Sequence, residues 1–123
     1  MTDMESSLKE AMQIEGAIGA ALVDYTSGMA LGTIGSSSDF DLSIAAAGNT
    51  DVVRAKLRTL EMLRLKDSIE DILITLGTQY HVIRPLTSHK THGLFLYLVL
   101  AKSRANLAMA RHKLKNIEES LQM

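Results

Sequence analysis

The chain alternates between short apolar runs and segments whose apolar residues recur every three or four positions. Near its start Met4, Leu8 and Met12 lie four apart behind Thr2 and Asp3, either of which can cap a helix that Gly16 ends. A run of small apolar residues, 17–23, is followed by the polar turn Asp24-Tyr25-Thr26-Ser27-Gly28 and a second short run, 29–34. Two such runs around a glycine-containing loop of about five residues predict a β-hairpin. Gly19 and its alanine neighbours predict that another element packs closely over the first strand.

The loop 35–39 offers Ser38 or Asp39 as the cap of a long helix over about residues 40–65. Gly48-Asn49-Thr50 is its weak point, since glycine costs about 1 kcal/mol in a helix interior. Val53, Leu57, Leu60 and Leu63 or Arg64 form one stripe, and a second set, Val52, Ala55, Thr59 and Met62, widens the apolar arc. A helix with so broad an arc is contacted on two sides. Residues 69–76 read as a strand, with Ile72, Ile74 and Leu76 on one face and Leu73 and Thr75 on the other. Gly77-Thr78 turns the chain into the alternating strand 79–84, closed by Pro85.

The most hydrophobic stretch, Leu94-Phe95-Leu96-Tyr97-Leu98-Val99-Leu100, is too short to cross a bilayer as a helix. Its aromatic and β-branched content, after Gly93, fits a strand covered on both faces in the middle of a sheet. Ser103 is placed to cap a final helix with a one-sided stripe of Leu107, Ala110, Leu114, Ile117 and Leu121. The predicted order is α-β-β-α-β-β-β-α, one domain over residues 1–123. This is an α/β (α+β) fold, a five-stranded antiparallel sheet sandwiched by the long helix on one face and the two terminal helices on the other.

Composition narrows the function classes. A net charge of -1, no tryptophan and few aromatics leave neither an electrostatic nor a stacking reason to expect nucleic acid. Without cysteine there are no disulfides, no thiolate catalysis and no cysteine-ligated metal. The acidic start, Met1-Thr2-Asp3-Met4-Glu5, is unlike a signal peptide, so a cytoplasmic protein with no membrane insertion is expected. Seven methionines serve as core gap-fillers or as an adaptable contact surface.

Candidate chemistry is sparse. Gly28, Gly32 and Gly35 resemble a phosphate loop, but Ser36 stands where such a loop needs lysine, and the glycines fall inside or just after a strand rather than before a helix. His89 and His92 lack a third ligand, and His81 and His112 have no evident partner. Glu70 and Asp71 point to opposite faces of their strand, Glu118-Glu119 reads as a solvated pair, and Ser36, Ser37 and Ser38 show no nucleophile elbow. No catalytic constellation emerges, so neither enzyme, metal nor cofactor is expected.

The surface is more informative. Arg54, Arg58 and Glu61 share a stripe of the long helix, with Arg58 and Glu61 spaced to pair. Arginine is over-represented where proteins meet partners. If strand 69–76 lies at a sheet edge, its long hydrophobic edge needs protection, and pairing with the same strand of a second copy supplies it. The helix before it would then meet its symmetry mate, with Ala45, Ala46, Ala47 and Gly48 permitting close approach.

Ile14-Glu15-Gly16-Ala17-Ile18-Gly19-Ala20-Ala21-Leu22-Val23-Asp24 with Gly28, and Asn106-Leu107-Ala108-Met109-Ala110-Arg111-His112-Lys113-Leu114, make the chain resemble the roadblock family, named after the dynein light chain. The likeness spans nearly the whole chain and is most similar to standalone bacterial and archaeal members. It implies a non-enzymatic homodimer joined through the third strand and the long helix. On this chain that interface takes Val53, Leu57, Leu60, Ile69, Ile72 and Ile74. It also implies a partner, a Ras-like small GTPase, contacting the long helix at Arg54, Arg58 and Glu61. A structural adaptor in a larger complex and, further off, a small-molecule sensor are the alternatives.

Overall fold

The computed structural model describes residues 3–35, 40–88 and 91–121. Asp3 caps α1 (Met4–Met12), its carboxylate accepting from the Ser6 N–H at 2.8 Å. Thr2, the other candidate, lies outside the described residues. The hairpin is β1 (Ala17–Asp24) and β2 (Met29–Gly35), and the long helix is α2 (Leu42–Met62). β3 (Ile72–Thr75), β4 (Gln79–Pro85), β5 (Leu94–Ala101) and α3 (Leu107–Ser120) complete the order.

The five strands form one antiparallel sheet in the order β2-β1-β5-β4-β3, with the most hydrophobic run at its centre as its composition requires. Alternation along β5 divides the core. Leu96, Leu98 and Leu100 face α1 and α3, where Leu8, Ala11, Leu114 and Ile117 meet them, while Phe95, Tyr97 and Val99 face Leu42, Ala46 and Val53 of α2. The sandwich is the one the sequence predicts. α1 lies so close over β2 that a Cβ on Gly32 would stand 3.0 Å from the Leu8 side chain and from the Met4 sulfur.

Several local boundaries differ. Asp41 caps α2, its Oδ1 accepting from the N–H groups of Ser43 at 2.8 Å and Ile44 at 3.3 Å; the predicted caps Ser38 and Asp39 lie outside the described residues. Gly48 does not break the helix, where the buried Thr50 hydroxyl donates to the Ala46 carbonyl at 2.8 Å. Asn106, not Ser103, caps α3. The third strand pairs over four residues rather than eight, and just before it Asp71 forms a forked ion pair of 2.6 and 3.0 Å with Arg111 on α3.

Candidate interaction surface

Helix α2 carries two stripes a part-turn apart. Leu42, Ala46, Thr50 and Val53 point into the sheet, with Leu57 packed behind them. The outer stripe runs Ile44, Gly48, Val52, Ala55, Thr59 and Met62, at spacings of four, four, three, four and three. Ile44 is 72% exposed, Val52 37% and Met62 70%. Most of that stripe follows the seven-residue rhythm of a helix–helix seam, and nothing lies within 4 Å of a Cβ placed on Gly48.

This corrects the residue assignment from sequence. Val53 is 0% exposed and belongs to the core of a single chain, so it offers no contact surface. Leu57 and Leu60 are half-buried, and among the small residues Ala46 is buried and Ala45 half-buried, leaving Ala47 and Gly48 exposed. The outward stripe is the second set, Val52, Ala55, Thr59 and Met62, extended toward the helix start by Gly48 and Ile44.

The two sheet edges are protected differently. On β2, Gly32 lies opposite Leu22 and Ala30 opposite Val23, so Leu31 is an extra, bulged residue that interrupts the edge. β3 keeps an unbroken register, Ile72 to Ile83 through Thr75 to Tyr80. Its edge is regular but short. Between α2 and the approach to β3 runs an open groove of about 630 Å³, lined by Val52, Ala55, Thr59, Ile69 and Ile72 with Lys56 and Asp71. Ile72 and Ile74 are half-buried against the α2 side of the sheet.

Of the three charged residues singled out, Arg54 is committed within the chain. Its Nε donates to the Tyr25 carbonyl at 2.8 Å and its Nη2 to the Thr26 carbonyl at 2.6 Å, so it clamps the β1–β2 turn to α2. Arg58 and Glu61 are exposed, and among the described residues no ion pair joins them. Past the helix end Arg64 sits in the left-handed region at φ 57°, where glycine is usual. The Arg64 N–H returns to the Glu61 carbonyl and the Leu65 N–H to the Leu60 carbonyl, both at 3.0 Å. Leu63 and Leu65 on either side are exposed.

The remaining ionisable residues are structural or solvated. Glu118, read from sequence as solvated, is buried. It accepts from Arg84 Nε at 2.6 Å and from the Thr87 N–H at 2.9 Å, clasping α3 to the end of β4. Its position four past Leu114 and next to Ile117, inside the buried arc, was the available signal. His81 does have partners, Gln79 and Tyr97, and burial pushes its pKa below the ordinary 6.5. Burial likewise raises the Tyr97 hydroxyl, partly offset by the Asn49 side chain. His92 and His112 are exposed and His89 lies outside the described residues. Among the described residues no three His, Asp or Glu side chains could hold a metal ion, and no helix is long and apolar enough to cross a membrane.

No family model matches the sequence, and no curated protein does. Solved structures match across almost the whole chain. The Roadblock/LC7 domain from Streptomyces avermitilis superposes with a TM-score of 0.80 at 12% identity, covering 97% of this chain and 94% of that one. MglB of Myxococcus xanthus gives 0.74 at 15% identity, covering 93% and 77%, and the gliding protein mglB of Thermus thermophilus gives 0.67 at 18%, covering 94% and 87%. On this likeness the chain has the fold of the bacterial Roadblock/LC7 domain.

Proposed function

We propose that the chain is a non-enzymatic homodimeric platform that binds and regulates a Ras-like small GTPase. The observation that carries the self-association is the outer stripe of α2, an apolar seam with small residues at its middle, lying beside the one sheet edge without a bulge. A second copy covers both at once, helix to helix and strand to strand. The residues assigned to the interface are Ile44, Gly48, Val52, Ala55, Thr59 and Met62 of α2 with Ile72 and Ile74 of β3. The GTPase partner is what the roadblock resemblance implies. Arg58 and Glu61 are its exposed candidate contacts, and the platform would act in the cytoplasm by holding the switch loops in one shape.

Affinity capture of the tagged protein from its native lysate, with GDP or a non-hydrolysable GTP analogue added, tests the assignment. A small GTPase enriched with only one nucleotide supports regulation. Capture of other proteins regardless of nucleotide points to the adaptor, and GTP hydrolysis by the purified chain alone contradicts a non-enzymatic role.

A further inference from the structure

The two ends of α2 carry complementary chemistry. At its far end Met62 and Leu63 are exposed, and Arg64 follows them in the left-handed region at φ 57°. Glycine takes that backbone without strain, and the closing hydrogen bond from the Leu65 N–H to the Leu60 carbonyl needs no side chain. Among the described residues the Arg64 guanidinium has neither a hydrogen bond nor an ion pair. An arginine strained there and idle within its own chain is accounted for by a contact outside it.

At the start of the helix, Phe40, Asp41, Ile44 and Ala45 line an open hollow of about 340 Å³. Three of these are apolar and the fourth is a carboxylate. Asp41 Oδ1 caps the helix through the Ser43 and Ile44 N–H groups, while Oδ2 accepts no hydrogen bond among the described residues. The hollow is apolar and anionic where the far end is apolar and cationic. One chain cannot join the two, because Ile44 and Met62 lie about 27 Å apart along α2 at the helical rise.

We propose that two copies of the chain set their α2 helices antiparallel, with Met62 and Leu63 of each seated in the hollow at the start of the other and Arg64 paired there with Asp41. This rests on the proposed self-association and fixes its register. A twofold axis normal to the sheet joins two β3 edges and keeps both α2 helices on one face, and it runs those helices antiparallel. The outer stripe then matches across the seam. Val52 meets Ala55, Gly48 meets Thr59 and Ile44 meets Met62, so a larger side chain faces a smaller one near the middle. A parallel seam sets Asp41 against Asp41 and Arg64 against Arg64. The ion pair is exposed and adds little affinity; the apolar ends supply that, and the charges select the register.

Cysteine cross-linking tests the register cleanly, since the chain has no cysteine of its own. Ile44→Cys with Met62→Cys, under mild oxidation by diamide, is expected to give a doubled mass on a non-reducing gel that reductant reverses. Each single variant is expected to stay one chain, because position 44 meets 62 and neither meets itself. A cross-link from Ile44→Cys alone, or a double variant that sediments as a dimer without cross-linking, overturns the register and leaves the dimer standing. A wild type that sediments as one chain overturns both. Should the double variant sediment as one chain, the charges decide. Asp41→Asn, which keeps a capping oxygen, and Arg64→Gln are each expected to weaken the dimer about fivefold, from two exposed ion pairs per dimer. Combined, they are expected to weaken it no further than either alone, whereas additive effects overturn the pairing.

Discussion

The two layers that cover the sheet differ in how their outward surfaces are finished. α1 and α3 turn apolar stripes inward and are capped by Asp3 and Asn106, and α3 is tied down by ion pairs from Glu118 to Arg84 and from Arg111 to Asp71. Their one large, mostly apolar outward residue among those described is Met109. α2 is tied by the Arg54 clamp, and it turns a second apolar stripe toward solvent. The difference separates a face finished within one chain from the face that the proposed dimer would complete. Exposed hydrophobic residues scattered singly mean little, but a stripe in register beside a sheet edge marks an interface.

Adjacent residues give the sharpest way to break this comparison. Val53→Asp places an unpaired charge in the core and should cost about 4 kcal/mol or more, read as loss of the cooperative urea transition. Val52→Asp, one position away on the outer stripe, should leave the folded chain within about 0.5 kcal/mol of wild type. On the finished face, Glu118→Ala strands the part-buried Arg84 and should lower the unfolding free energy by about 3 kcal/mol, with no effect on self-association. Arg54→Ala removes two hydrogen bonds at an exposed site, so a loss of about 1 kcal/mol is expected in the same assay. If Arg54→Ala instead left stability untouched, its assignment as a clamp would fail. The smallest effect is at the helix end. Arg64→Gly relieves the left-handed backbone and should raise the thermal midpoint slightly, by about 0.5 kcal/mol equivalent.

The order of elements, the central place of β5 and the layering of helices were legible because each rests on local periodicity. What was illegible depended on contacts distant in sequence. Periodicity reveals that α2 has two apolar arcs but not which one meets the sheet, and the arc containing Val53 was assigned outward when it faces in. Asp71, just before β3, pairs with Arg111, 40 residues away, and the buried Glu118 pairs with Arg84, 34 residues away. Ser103 and Asn106 are both good caps, and only the turn after β5, closed by the Arg104 N–H to the Ala101 carbonyl, selects the second. Arg64 carried no signal at all, since the left-handed position after a helix is ordinarily filled by glycine.

The central claim is that the outer stripe of α2 is completed by a second copy of the chain. Sedimentation equilibrium of the wild type and of Val52→Asp tests it most directly. The account predicts twice the 13.4 kDa chain mass for the wild type and the single-chain mass for the variant, with its circular dichroism unchanged. A wild type that sediments as one chain, or a folded Val52→Asp that keeps the doubled mass, would contradict it.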